Sequence, residues 1–444
     1  MKTLPSPLFG RGEGGEGVTQ RHFSQRDRDS RNSLSLNQPA KQAKSSQGSL
    51  SSPISSPYTD QSVSTSLESP AIDYARLAPT VFNHPGARNL RLLVVGAGAL
   101  GNEVVKTLGL IGVGSITVID PDVIEPSDLT RSLFFRIGKT AGRSKAETLA
   151  GLAGALFTDT LITGVSKEIA DIGFQELAAF DMIFGCVDND LARLEIAYLS
   201  TQLDLPVVDG GLGTSDYSRG RVSIFPGRSA ACFSCRLTRQ KRSELLTVWE
   251  AVRRPCWLEQ DGLHRRSYPS TPMLAAVVGA MQVEVALRRL LDCGPANAFP
   301  ASTIDVALDP PQRLETFTIA LGESCPFHQP GGARFPAPGP PSSTTVRELL
   351  NCAASGTAGK EWATLILDWP ICASVRCGEC GHRWSPMTRL AALRRSGACP
   401  SCSSRDFIEE EVLRRIEAGS RWENRTLEEL GLPERHLHLI RHIV

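Results

Sequence analysis

Leu92-Leu93-Val94-Val95-Gly96-Ala97-Gly98-Ala99-Leu100-Gly101, followed at Ile116-Thr117-Val118-Ile119-Asp120 by a second apolar run ending in an acid, is the stretch that decides how this chain folds. Each short aliphatic run bounded by turn residues reads as a buried strand. Glycines at 96, 98 and 101 permit a tight turn after the first strand. They let backbone N–H groups approach a phosphate at the N-terminus of the helix predicted over Asn102 to Leu110. Asp120 stands 19 residues past Gly101, where a carboxylate can accept hydrogen bonds from a ribose. Alone, this order of elements implies a Rossmann-like nucleotide site.

Outward from that core, residues 73–329 alternate apolar runs of strand length with amphipathic stretches. Met182-Ile183-Phe184-Gly185 and Pro206-Val207-Val208 read as further strands, and Lys145 to Leu152 as a helix. The pattern predicts an α/β fold: a Rossmann-like, mostly parallel sheet with helices on both faces. The first 70 residues hold 16 Ser, 6 Gly and 6 Pro against 11 Leu, Ile, Val or Phe, too little apolar surface to offset ordering entropy. Residues 1–72 are therefore expected to be a disordered low-complexity tail. Glu13, Glu16, Asp27 and Asp29 argue against an organelle transit peptide. Prolines at 330, 336, 338, 340 and 341 make 330–343 a linker by composition, leaving 344–444 as a small second domain.

The chain has 48 Lys+Arg against 47 Asp+Glu, which removes the simplest argument for a dedicated nucleic-acid or membrane-surface binder. No apolar run approaches bilayer-spanning length, and Met1 to Gly15 lacks a secretory h-region. Several of the twelve cysteines fall in pairs two residues apart, better suited to metal than to disulfides. The expected compartment is the reducing cytoplasm, with no membrane partner.

Hydride transfer needs no cluster of cations, whereas attack on an α-phosphate needs charge neutralised on departing pyrophosphate. The stretch beyond the second strand supplies cations: Asp120-Pro121-Asp122-Val123-Ile124-Glu125-Pro126-Ser127-Asp128-Leu129-Thr130-Arg131, then Gly142-Arg143-Ser144-Lys145, and after a later strand Cys186-Val187-Asp188-Asn189. With these motifs the chain resembles the HesA/MoeB/ThiF family, which includes ubiquitin-activating enzymes and bacterial adenylyltransferases acting on sulfur-carrier proteins. The resemblance covers roughly Tyr74 to His328 and implies that 73–329 is an adenylation domain. It implies ATP and Mg²⁺ as cofactors and, as partner, a small ubiquitin-like or sulfur-carrier protein ending in Gly-Gly, whose terminal carboxylate displaces pyrophosphate. A homodimer is implied too.

Residue by residue, the resemblance implies that Gly96, Gly98 and Gly101 cradle phosphate and Asp120 holds the ribose. Asp122 and Asp128 line the same loop, Arg131 and Lys145 contact the phosphates, and Asp188 holds the metal. Arg193 is a further candidate for that site. Asp128 departs from the family's usual Asn and adds negative charge near the triphosphate unless it shares the metal. Arg76, in Tyr74-Ala75-Arg76-Leu77, matches an N-terminal arginine that reaches a partner subunit's site, with Leu77 in place of Gln. Any thioester or sulfur-transfer step would need a thiolate, for which Cys256 is the candidate because Arg253 and Arg254 beside it lower a thiol's pKa.

Cys232-Phe233-Ser234-Cys235 and Cys325-Pro326-Phe327-His328 each place two metal ligands on a tight turn and together would form a closed tetrahedral zinc site. The 89 residues between the pairs do not prove the match by spacing. The family resemblance implies it, usually with a fourth Cys in place of His328. Cys377-Gly378-Glu379-Cys380 and Cys399-Pro400-Ser401-Cys402, 18 residues apart, carry a strong zinc signal on their own. Two structural Zn²⁺ ions are thus expected, the second in a zinc ribbon whose small core needs a staple. Arg376, Arg383, Arg389, Arg394 and Arg395 around that ribbon leave a nucleic-acid role open. Three other readings also remain open: an NAD-dependent oxidoreductase, activation of tRNA or a small acid, and a non-catalytic nucleotide-binding scaffold.

Overall fold

The computed structural model describes residues 72–74, 77, 84–136, 138–213, 217–251, 270–291, 300–323, 325–328, 333–354 and 362–443. The tail expected over 1–72 lies outside them except for its last residue. The described residues belong to one compact unit, Ala71–Val444.

The chain runs β1 (Arg91–Val95), α1 (Ala99–Ile111), β2 (Ser115–Ile119), α2 (Lys145–Leu156), β3 (Leu161–Val165), α3 (Phe174–Leu177), β4 (Met182–Gly185), α4 (Asp190–Leu203) and β5 (Val207–Leu212). These five strands are parallel to their neighbours in the order β3-β2-β1-β4-β5. Next come β6 (Arg219–Phe225), α5 (Phe233–Arg236), α6 (Arg239–Ala251), α7 (Pro272–Leu290), β7 (Ser302–Ala307) and β8 (Arg313–Thr318). The last three strands extend the sheet in antiparallel fashion to eight. The α/β class read from the sequence is the one found.

The strand alternation built into β1 splits the core in two. Leu92 and Val94 pack with residues of α1, α2 and α7 on one face, while Leu93 and Val95 pack with α3 and α4 on the other. Strand order reverses between β1 and β4, so the loops leaving β1, β2 and β4 open a crevice at the carboxyl edge, where ligands bind in open α/β sheets.

A second sheet is built from β9 (Ala333–Pro336), β10 (Trp362–Cys377), β11 (Arg383–Trp384), β12 (Thr388–Arg389), β13 (Phe407–Glu417) and β14 (Leu437–Ile443), with α8 (Val346–Ala354) and α9 (Leu390–Ser396). The proline-rich 330–343 segment is not simply a linker. Its residues 333–336 form the edge strand β9 paired with β14, where the missing N–H of Pro336 is tolerated.

Nor do the two parts merely neighbour each other. Trp369 of β10 lies in the core cluster of α3 and α4, edge-on to Phe174. Buried Asp368 accepts hydrogen bonds from Tyr198 of α4, from Arg334 of β9 at 2.7 and 3.1 Å, and from His436 at 2.9 Å. Burial would raise the Asp368 carboxyl, but His436 and Arg334 hold it well below the ordinary range. Arg389 of β12 closes a second bridge to Glu168 and Asp171. Among the described residues no helix is long and apolar enough to cross a membrane.

Candidate functional site

The glycine turn has little freedom to be anything else. Gly96 has φ +100°, and a Cβ there would lie 2.5 Å from the Cys186 carbonyl; one on Gly101 would lie 2.0 Å from the Gly96 carbonyl. Gly98 differs, because nothing lies within 4 Å of where its Cβ would be. It is also the N-cap of α1 and supplies no side chain to the helix, so open space sits over free N–H groups where an anion would fit. Asn102, which the motif reading passed over, braces the turn. Buried, its Nδ2 donates to the Ala97 and Gly98 carbonyls at 2.9 and 3.0 Å, while its Oδ1 accepts from Phe134 N.

Asp120 follows β2 with both oxygens engaged, one by Ala97 N at 2.7 Å and the other by Asp122 N at 2.8 Å. Burial pushes its carboxyl up to about 6, against those hydrogen bonds and the nearby Lys145 charge. The loop after β2 and the segment before α2 are zipped together. Ile124 N donates to Arg143 O, Gly142 N to Ile124 O and Lys145 N to Asp122 O, which brings two stretches distant in sequence onto one wall.

Asp128 resolves the oddity of its own position. It is 2% exposed and accepts Glu125 N at 3.0 Å, Arg131 at 3.0 Å and Lys145 at 3.4 Å. Burial alone would raise its carboxyl, but the Glu125 amide, Lys145 and Arg131 hold it below the usual value. Lys145 also stands 3.6 Å from Asp122; burial works against its charge, yet Asp120, Asp128 and Asp122 together raise its pKa. One buried anion thus holds both cations.

Asp188 follows β4 and is exposed; its hydrogen-bond partner is Asn189, whose own Oδ1 caps α4 through Ala192 N at 2.8 Å. Such a carboxylate keeps oxygen lone pairs for a hard cation. Arg193 is not available to phosphate. Its Nε–H is shared between the two oxygens of buried Asp209 at 3.2 and 3.1 Å, and its NH2 donates to the Val187 and Gly210 carbonyls. Cys186 is buried at the strand end, its thiol pushed up by desolvation, and it packs. Cys256 and Arg76 lie outside the described residues.

Cys232, Cys235, Cys325 and His328 come together, their ligand atoms all within 4.8 Å of one another, as do Cys377, Cys380, Cys399 and Cys402. Within the first group His328 Nδ1 pairs with the Arg228 carbonyl at 2.9 Å, leaving Nε2 buried without a partner. That orphaned nitrogen is what a metal ligand oriented through its other ring nitrogen requires. In the second, the backbone amides of Cys380 and Ser401 reach the Cys377 and Cys399 sulfurs at 3.5 and 3.4 Å. Both donor sets suit a closed tetrahedral zinc ion.

Four of the arginines near the second cluster pair with carboxylates, and the side chain of Arg395 lies outside the described residues. Arg376 and Arg383 pair with Glu410, Arg394 with Glu409, and Arg389 with Glu168 and Asp171.

Residues 80–318 match the model of the ThiF family. The NEDD8-activating enzyme E1 catalytic subunit of Dictyostelium discoideum is 31% identical over 176 residues, 36% of this chain and 38% of that protein. Ubiquitin-like modifier-activating enzyme 5 of the same organism is 25% identical over 262 residues, 56% of this chain and 65% of that protein. The chain thus spans less than two thirds of the length of these curated relatives. Among solved structures, E. coli MccB with ATP is 14% identical, covering 55% of this chain and 67% of that one at TM-score 0.43.

Proposed function

This chain belongs to the ThiF family, and on that footing we propose that it is an ATP-dependent adenylyltransferase. Its acceptor is the C-terminal glycine carboxylate of a small ubiquitin-like or sulfur-carrier protein, which displaces pyrophosphate from the α-phosphate. The names of its relatives, a NEDD8-activating and a ubiquitin-like modifier-activating enzyme, support that substrate class. The observation that carries the reading is the wall on which Arg131 and Lys145 are held by buried Asp128 beside Asp120 and the glycine turn.

In this mechanism the α1 N-terminus and Gly98 receive phosphate, Asp120 binds the ribose, and Arg131 and Lys145 lie ready for charge on the departing pyrophosphate. Cations fixed before reaction cost no reorganisation as charge develops, and one such donor is worth about 3 kcal/mol. Mg²⁺, held by Asp188, would neutralise phosphate charge. No covalent enzyme intermediate is needed for adenylation. The two cysteine clusters hold structural zinc, and the protein acts in the cytoplasm as a homodimer, with Arg76 reaching the partner's site. Cys256 serves a later thiol step if one exists.

The test is ATP–pyrophosphate exchange stimulated by a small protein ending in Gly-Gly. Asp188→Ala should abolish exchange while leaving a folded protein. No Mg-ATP binding, or hydride transfer to NAD in place of exchange, would sink the reading.

A further inference from the structure

The chain leaving β4 is fastened from two faces of the sheet, and the candidate metal carboxylate stands on it. Gly185 ends β4 in register with Asp209 of β5, and a Cβ on Gly185 would lie 2.6 Å from Asp209 Oδ1, so glycine leaves that carboxylate its room. One residue on, the Cys186 N–H donates to the Val95 carbonyl at 2.8 Å, and the Cys186 carbonyl lies against Gly96 of the phosphate turn. Two residues further, Asp188 is exposed.

Arg193 fastens this exit. As the fourth residue of α4 it sits where the helix dipole disfavours a cation, so its charge calls for local partners. Its side chain reaches back past the helix start. NH2 donates to the Val187 carbonyl at 2.6 Å and the Gly210 carbonyl at 3.2 Å, Nε–H is shared between the Asp209 oxygens, and NH1 stands 3.7 Å from Asp190. The Arg193 and Asp209 side chains are 12% and 5% exposed, and charge-assisted bonds withdrawn from water in this way are strong. On the other face, buried Gln282 of α7 donates to the Gly185 and Val208 carbonyls at 3.1 and 3.0 Å, bridging β4 and β5 at the same level.

An exposed loop carboxylate holds a cation tightly only where the loop is already fixed, since ordering it on binding costs conformational entropy. The residues on either side of Asp188 supply that fixity: Val187 is tied by Arg193, and Asn189 caps α4 through Ala192 N. We propose that Arg193, anchored by Asp209, is a positioning residue that sets Asp188 against the phosphate turn and so governs the grip on the nucleotide's divalent cation. This rests on the adenylation reading and deepens it, with Arg193 touching neither nucleotide nor metal.

The experiment uses the full chain and α,β-methylene ATP, which cannot lose pyrophosphate. Its affinity is measured in excess Mn²⁺ and in EDTA, and the ratio gives the share of binding that the metal contributes. Arg193→Lys keeps a charge for Asp209 but replaces the fork by one ammonium. Asp209→Asn keeps the shape and loses the charge, and it reads the same quantity should the first variant fail to fold. Each should lower the ratio, Arg193→Lys by about tenfold, with the affinity in EDTA unchanged. Neither should lower it further in an Asp188→Ala background, because the pair acts through that carboxylate. An unchanged ratio, an equal loss with and without metal, or a further loss without Asp188 would each overturn the proposal. Hydrogen exchange at the Cys186 and Ala192 amides of the nucleotide-free protein keeps the two readings apart, and Arg193→Lys should speed it about tenfold. Faster exchange in a protein whose wild type binds no nucleotide would leave the anchor standing and remove the adenylation reading; unchanged exchange would remove the anchor.

Discussion

The Lys145 ammonium sits 3.4 Å from an Asp128 carboxylate that simultaneously holds the Arg131 guanidinium at 3.0 Å. One buried anion thus fixes the direction of both candidate phosphate ligands, and it also competes with phosphate for their charge. Orientation and attraction pull in opposite directions at this residue, so its substitutions can separate them.

Asp128→Asn keeps one oxygen, for Glu125 N, gives up the one that holds Arg131, and removes the negative charge. Mg-ATP should bind about fivefold more tightly, with a steeper salt dependence. Asp128→Leu strips both cations of their anchor and should weaken binding tenfold or more. Calorimetric titration decides: equal weakening by the two variants would mean that Asp128 acts only as packing.

Nucleotide binding should depend on pH through Asp120. Its folded pKa, near 6, is raised above the unfolded value. A raised carboxyl makes folding less favourable as pH climbs from about 4 to 6, because the unfolded chain there has already lost the proton that the folded one keeps. The ribose-accepting ionised form appears only above about 6. Mg-ATP affinity should therefore fall below pH 6, and Asp120→Asn, weaker throughout, should show a flat profile. A wild-type profile level from pH 5 to 8 contradicts this.

His438 is buried and its pKa is pushed down to about 3, first by desolvation and then by His436. The folded state keeps it neutral while the unfolded chain protonates near 6.5. Its contribution is complete above that value and is lost as pH falls from about 6.5 towards 3. Denaturant unfolding at pH 7 and pH 5 should show a smaller acid loss for His438→Phe than for wild type; identical losses would rule the residue out.

Replacing Asp368 by Leu leaves the nearly buried Arg334 without its counter-ion, at a cost of about 3 kcal/mol. Because this carboxylate joins α4, β9, β10 and the chain just before β14, both sheets should unfold in one transition in wild type and in two in the variant. Hydrogen exchange resolved by segment would show it, and independent opening in wild type would refute the coupling.

Metal analysis should find two zinc ions per chain. His328→Ala should weaken one site without touching the other, and Cys377→Ser should do the reverse. A full complement in both variants would mean that these groups hold no metal.

Local signals reached far in this chain. Gly96, Gly98 and Gly101 declare themselves because only glycine survives carbonyls 2.0 to 2.5 Å away at 96 and 101, and because Gly98 leaves the helix end bare. The cysteine pairs were legible for a similar reason, since two ligands on one turn need only a few residues of chain. Asn102 and Asp209 carried no such signal: each matters through a group brought near by the fold, Phe134 N for one and Arg193 for the other.

The order of short-range elements, strand, glycine turn, helix, strand and acid, was determined by the sequence alone, because backbone sterics and burial act within a few residues. Which cation meets which carboxylate was decided by tertiary structure. Arg193 looked like a phosphate ligand and is consumed by Asp209, while Asp128 looked misplaced and anchors Lys145. The 330–343 segment looked like a linker, and part of it is a strand whose Arg334 reaches buried Asp368. Charge pairing falls off over a few ångströms of space, and separation along the chain does not reveal that distance.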